Sequence, residues 1–212
     1  MENLIKKISD TGVVPVVKID DAKDAIPLAE ALKNGGLCCA EITFRTDAAE
    51  EAIRLIAEKY PEFLIAAGTV LTPAQADAAM NAGAAFIVSP GFNPEVVKHC
   101  QAKGYPVIPG VCTPTEVEAA MSLGLSYLKF FPAEAAGGVK MINAMAAPYT
   151  KIKFMPTGGI GVKNLADYLN SKAVFACGGS WMVPSNKITE GKFDEIEQLT
   201  KEAVELLKEI RG

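Results

Sequence analysis

Short apolar runs, each the right length for one buried strand, return at intervals of about 20 to 26 residues along almost the whole chain. They are VVPVVKI (13–19), CCAEITF (38–44), LIAAGTV (64–70), FIVSPG (86–91), PVIPGVC (106–112), YLKFFPA (127–133), KFMPTGG (153–159) and AVFACGG (173–179). Between them lie segments such as DAAEEAIRLIAEKY and TPAQADAAMNAGA, with apolar residues three and four apart, the spacing of one helix face. Three helix starts are written out as Thr72-Pro73, Asn93-Pro94 and Thr113-Pro114, each a capping side chain followed by proline at the first helical position. Strands that alternate with helices return parallel, and near-continuous apolar strands are buried on both faces. Eight such units predict an α/β protein, a single (β/α)8 barrel spanning 1–212. An open doubly wound sheet is the alternative, but it normally carries a glycine-rich loop after its first strand, and VVKIDD has none. A short N-terminal helix (2–10) is expected to cap the barrel. The tail KFDEIEQLTKEAVELLKEI reads as an amphipathic helix with Phe193, Ile196, Leu199, Ala203, Leu206 and Ile210 on one face.

Composition narrows the function classes. Half of the 212 residues are hydrophobic and 22% are charged, which excludes a disordered or fibrous chain. A net charge of −4, with no block of Lys and Arg, offers no field for nucleic acid. The opening MENLIKKISD has no apolar run of signal-peptide length, and no apolar segment approaches a membrane span. A soluble, cytoplasmic protein without nucleic-acid or membrane partners is expected. The five cysteines form no CxxC pair, which argues against a disulfide framework and a zinc site. The single histidine, His99, reads as a solvated surface residue, and no metal site is expected.

The residues that break the apolar runs collect where barrel active sites form, at the C-terminal ends of the strands. Lys129 stands in YLKFFPA, and by parity it shares a face with Tyr127 and Phe131. Facing inward, its amine would be desolvated, a state that favours the free base, and a free amine can attack a ketone to form a Schiff base. The alternative is a lysine neutralised by a buried partner, Glu41 being the obvious one. Glu41 stands in the otherwise uncharged CCAEITF and suits a buried ion pair or a general base; the two roles are compatible. Arg45 has the parity of Glu41 and lies about 13 Å further along, at the mouth, where its fork can take a carboxylate. Thr69, Ser89-Pro90 and Cys112-Thr113 stand at the ends of the third, fourth and fifth runs. PTGGIG and CGGSW follow the seventh and eighth, and Gly158, Gly159, Gly179 and Ser180 are candidate donors to a phosphate. Cys112, Trp181 and Met182 read as packing residues.

EITFRT, GTVLT, SPGF, PGVCTPTE, LKFFPAE, PTGGI and ACGGSWMVP, in this order, resemble the 2-keto-3-deoxy-6-phosphogluconate/4-hydroxy-2-oxoglutarate aldolase family, over residues 13–184. The resemblance implies a metal-independent class I aldolase that needs no cofactor, commonly a homotrimer. Lys129 would form the Schiff base with pyruvate or the keto acid, and Glu41 would move the protons. Arg45 and Thr69 would hold the carboxylate, with Pro90 and Phe131 among the substrate-binding residues. Thr157 would contact the hydroxyl region and influence facial selectivity. Gly158, Gly159, Gly179 and Ser180 would hold the 6-phosphate. The implied reaction is reversible cleavage of 2-dehydro-3-deoxy-6-phosphogluconate to pyruvate and glyceraldehyde 3-phosphate, with 4-hydroxy-2-oxoglutarate as a second substrate. The alternatives are an aldolase for the galactonate epimer, a sugar-phosphate epimerase or isomerase in which Lys129 acts only electrostatically, and a barrel that binds a metabolite without turnover.

Overall fold

The computed structural model describes residues 1–211. Helix α1 (Glu2–Thr11) precedes β1 (Val13–Val17), α2 (Ala25–Asn34), β2 (Cys39–Thr43), α3 (Ala49–Lys59), β3 (Leu64–Gly68), α4 (Pro73–Asn81) and β4 (Phe86–Val88). The alternation continues through α5 (Pro94–Lys103), β5 (Val107–Ile108), β6 (Gly110–Val111), α6 (Pro114–Ser122), β7 (Tyr127–Phe130), α7 (Gly138–Ala146) and β8 (Lys153–Pro156). It ends with α8 (Leu165–Leu169), β9 (Cys177–Gly179), α9 (Ser185–Thr189) and α10 (Phe193–Arg211). The three capping residues act as their chemistry dictates. Thr72, Asn93 and Thr113 accept from the backbone amides of Gln75, Glu95 and Glu116 at 3.2, 3.0 and 3.4 Å. The carboxylate of Glu116 returns the bond to the Thr113 amide at 2.9 Å, which completes a capping box.

All strand pairs are parallel, but they fall into two sheets, of order β5-β4-β3-β2-β1-β9 and β6-β7-β8. The fifth apolar run, expected as one strand, is divided at Pro109, which has no amide to donate to a ladder. Its first half pairs with β4 and its second with β7. The eighth run pairs regularly only over Cys177–Gly179; just before it, the Phe175 carbonyl accepts from the Ser9 hydroxyl at 2.9 Å. Isolated bridges link Phe154 to Val174 and Thr157 to Gly178, between β8 and the run that holds β9.

Helices cover the outer faces through one large cluster that includes Ile42, Ile53, Ile65, Ile87, Leu128, Phe130 and Phe154. A second cluster fills the space between the inner faces, built from Val14, Ala66, Phe86, Val88, Ile108, Met155 and Phe175. Ile5 and Ile8 of α1 belong to it, so α1 covers the N-terminal ends of the strands, in the expected capping role. The buried stripe of α10 is rotated from the expected one, to Ile196, Thr200, Ala203 and Leu207, with Leu199, Leu206 and Ile210 only half-buried at its side. Thr200 can be buried because its hydroxyl donates to the Ile196 carbonyl at 2.7 Å. The facing position is Gly35, where a Cβ would lie 2.5 Å from that of Thr200. His99 is not freely solvated: it is part-buried, bonded through Nε2 to Asp77 at 2.9 Å and edge-on to Tyr105. This contact holds the Asp77 carboxyl below its usual range. No helix among the described residues is long and apolar enough to cross a membrane.

Candidate active site

Parallel register carries the inward parity of one strand to the next. Val16 lies beside Glu41, Gly110 beside Lys129, Lys129 beside Met155, and Thr157 beside Gly178. At the edge of the packed inner cluster, level with Met155 and Ala66, Lys129 Nζ therefore meets Glu41, at 3.0 Å from Oε1 and 3.3 Å from Oε2. The lysine is 4% exposed and the glutamate 1%. Room for the carboxylate comes from β3, where a Cβ at Gly68 would fall 2.2 Å from Glu41 Oε1. Phe131 follows Lys129 at the same parity, and its ring centroid lies 5.6 Å from Nζ, within range for a cation–π contact.

Above this pair opens a cavity of about 180 Å³, lined by Val16, Arg45, Phe131, Thr157, Gly158, Gly159, Ile160, Gly178, Gly179 and Ser180. It brings together seven of the residues singled out by sequence, from four separate strand ends. The Thr157 hydroxyl lines it and is buried without a hydrogen-bond partner in the protein. A Cβ at Gly178 would lie 2.3 Å from that hydroxyl, so the glycine leaves it space. Arg45 is exposed at the rim and also borders an adjoining cavity of about 350 Å³ with Asp47, Glu50 and Gln75. Its Nε donates to Thr43 Oγ1 at 3.0 Å, and that hydroxyl donates to the Val17 carbonyl at 2.7 Å. Thr43 thus braces the guanidinium, a role that no local signal in EITFRT announces.

Four of the expected residues do not line this cavity: Lys129 and Glu41, respectively two strand positions before Phe131 and at the register of Val16, and Thr69 and Pro90. Thr69 follows Gly68 with φ of 57°, a left-handed conformation that a β-branched residue adopts only under constraint. The Pro90 carbonyl occupies the space that a side chain at Gly110 would fill, 2.1 Å from its Cβ position, and Gly110 is the register neighbour of Lys129. Val16, Ile160 and Gly178 line the cavity but were not among the sequence candidates; inward parity from Val14 would have found the first. Trp181 packs against the Gly179 backbone, where a Cβ would come within 1.9 Å of the indole, and Met182 is fully buried, both as packing residues. Cys112 is half-buried against the core. Burial pushes the Cys39 thiol up to about 12 and the Cys100 thiol to about 11, which makes both poor nucleophiles. A larger cavity, of about 570 Å³, opens at the N-terminal ends of β1 and β2, beside Leu37, Val204 and Leu207, and holds none of the candidate residues. Among the described residues, no group of three or more His, Cys, Asp or Glu side chains is placed to hold a metal.

The geometry is that of a buried amine with a proton partner beneath an anion-sized pocket, and comparison with known proteins points the same way. The sequence profile of the family described as "Aldolase: KDPG and KHG aldolase" matches residues 4–199. The 2-dehydro-3-deoxy-phosphogluconate aldolase of Haemophilus influenzae is 49% identical over 207 residues, which cover 98% of each chain. A crystal structure of the Legionella pneumophila KDPG aldolase, with pyruvate captured as a covalent carbinolamine intermediate, is 40% identical with a TM-score of 0.90, over 93% of this chain and 96% of that one. The Zymomonas mobilis enzyme, solved with 3-phosphoglycerate, is 40% identical with a TM-score of 0.86, over 94% of both chains. The chain belongs to the KDPG and KHG aldolase family.

Proposed function

We propose that this protein is a class I aldolase that reversibly cleaves 2-dehydro-3-deoxy-6-phosphogluconate to pyruvate and glyceraldehyde 3-phosphate, and that it also cleaves 4-hydroxy-2-oxoglutarate to pyruvate and glyoxylate. The observation that carries this reading is the buried Lys129–Glu41 contact of 3.0 Å, set beneath a cavity walled by two glycine loops. Passing one proton across the contact leaves Nζ with a lone pair. The amine then attacks the keto carbon, and loss of water gives a protonated imine. As a base takes the proton of the C4 hydroxyl, the C3–C4 electron pair moves toward the imine nitrogen and the aldehyde departs. The enamine that remains takes a proton at C3, and water returns to release pyruvate and restore Nζ. Glu41 is the group within reach of Nζ to accept and return these protons.

Arg45, braced by Thr43, and Thr69 take the carboxylate, Pro90 and Phe131 wall the keto acid, and Thr157 meets the hydroxyl region. Gly158, Gly159, Gly179 and Ser180 hold the phosphate through their loops. The covalent pyruvate of the Legionella relative and the 3-phosphoglycerate of the Zymomonas relative support both halves of this assignment. Steady-state pyruvate release checks it: 2-dehydro-3-deoxy-6-phosphogluconate is expected to give a higher kcat/KM than its galactonate epimer or 4-hydroxy-2-oxoglutarate. Release from none of the three would remove the aldolase reading.

The chain is read as one domain over 1–212, its two sheets closing into a single eight-stranded barrel. The bridges from β8 to the run of β9, and the unbroken passage of the chain from β5 through Pro109, whose carbonyl accepts from Lys129 N on β7 at 2.9 Å, into β6, support closure at both seams. A homotrimer is carried over from the family resemblance, and sedimentation at equilibrium tests the assembly; a cytoplasmic location is carried over from the sequence reading.

A further inference from the structure

The loop assigned to the phosphate is held from outside the cavity. The carbonyls of Thr157, Gly158 and Gly159 accept, in turn, from Ala133 N at 2.8 Å, Glu134 N at 3.0 Å and Asn164 Nδ2 at 3.1 Å. A trans peptide is planar, so each carbonyl turned outward carries the next residue's N–H to the opposite side. The bonds made by Gly158 and Gly159 thus aim the N–H groups of Gly159 and Ile160 away from Glu134 and Asn164. Both residues line the cavity.

Glu134 is itself anchored by its side chain. Its carboxylate accepts from the hydroxyl of Tyr168 on α8, a residue 1% exposed and fixed in the core. Burial, then the hydrogen bond to Glu134, holds the phenol proton well above its ordinary range, so Tyr168 remains the donor at any working pH. The contact has no slack around it. A Cβ at Gly138 would lie 3.2 Å from Glu134 Oε1 and 3.3 Å from the Tyr168 oxygen, and a Cβ at Gly159 would lie 2.7 Å from that of Glu134. Neither Glu134 nor Tyr168 lines the 180 Å³ cavity.

We infer that the Glu134–Tyr168 hydrogen bond positions the phosphate loop, and that through it these two residues set the preference for phosphorylated over unphosphorylated keto acids. Tyr168 and Glu134 touch no substrate. They fix the backbone that does. The inference rests on the aldolase reading above, and its consequence is a selective one. Lys129 lies inside the β6–β7–β8 ladder, between Gly110 and Met155, and its partner Glu41 is on β2, so weakening the clamp beyond the strand ends affects phosphate binding and leaves the imine chemistry alone.

The experiment compares wild type with Tyr168→Phe, which keeps the buried ring, and with Glu134→Ala, at an exposed position that tolerates truncation. Each is expected to raise KM for 2-dehydro-3-deoxy-6-phosphogluconate about tenfold, the scale of one hydrogen bond to a charged group. Its kcat, and both constants for 4-hydroxy-2-oxoglutarate, stay unchanged. The double variant is expected to be no worse than either single one, because both remove the same contact. Glu134→Gln, whose amide oxygen can still accept from the phenol, retains most of the affinity. Equal rises in KM for both substrates, a lower kcat for both, additive losses, or an unchanged KM would each overturn the clamp. Wild type that releases no pyruvate from the phosphorylated substrate removes the parent reading and the clamp with it. Normal wild-type turnover with indifferent variants removes the clamp alone.

Discussion

At the N-terminal ends of the strands the inner face is filled by Val14, Phe86 and Phe175, with Ile5 and Ile8 of α1 closing over them. Further along, the inward positions become small or charged. Tyr127 gives way to Lys129, Ala66 to Gly68 and Ala176 to Gly178, each two residues on. Backbone, parity and register are continuous between the two ends. One end gains stability from large apolar side chains, each contributing about 1.5–3 kcal/mol when fully buried. The other gives up side-chain volume at two glycines, and the room this frees accommodates the carboxylate of an ion pair and a lone hydroxyl. A buried pair is a poor source of stability, because desolvation offsets much of its attraction. Its retention fits a chemical use. The contrast separates what holds this fold together from what the fold is for.

The contrast can be broken most sharply at Lys129. Lys129→Ala is expected to abolish turnover and to cost about 3–5 kcal/mol on chemical denaturation, since Glu41 is left buried and unpaired. Lys129→Met combined with Glu41→Gln should recover most of that stability and none of the activity. Glu41→Gln alone should slow turnover by roughly 10²- to 10⁴-fold, read in steady state. Near-normal rates would remove Glu41 from proton transfer. At the packed end the effect should reverse. Phe86→Ala should cost about 3–5 kcal/mol in a urea titration while kcat at low temperature stays near wild type. Gly68→Ala tests the boundary between the two ends. A Cβ there would fall 2.2 Å from Glu41 Oε1, so the carboxylate must move off Lys129. A loss in kcat of about 10²-fold is expected, with only a modest shift in unfolding midpoint. The smallest change, Ser180→Ala, should raise KM for the phosphorylated substrate a few-fold, about the size of one weak hydrogen bond, and leave KM for 4-hydroxy-2-oxoglutarate unaltered.

Much of this was legible in the sequence because it is local. The alternation of strands and helices, the three caps, and the two charges set in apolar strands are each visible within a short window. Parity then placed Lys129 and Phe131 on one face, and the paired glycines after the seventh and eighth runs pointed to a phosphate, which the resemblance narrowed to the 6-phosphate. What escaped was non-local or chemically ordinary. Pro109 looks like any proline in an apolar run until two different neighbours take its two sides. Thr200 is buried in α10 where the pattern favoured Leu199 and Leu206, because a threonine that bonds its own helix costs little to bury. Thr43 braces Arg45 by bonding a strand 26 residues away, and Tyr168 reaches Glu134 across 34. His99 found Asp77 on the preceding helix, a contact that its own segment could not predict.

The central claim is that the Lys129 amine is the nucleophile, and one chemical trap tests it directly. The protein is incubated with pyruvate and borohydride, digested, and searched by mass spectrometry for a reduced pyruvate adduct. The account predicts the adduct on Lys129 and on no other lysine. A folded, untouched protein, or an adduct elsewhere, would contradict it and leave the buried Lys129–Glu41 pair as an electrostatic element in a different reaction.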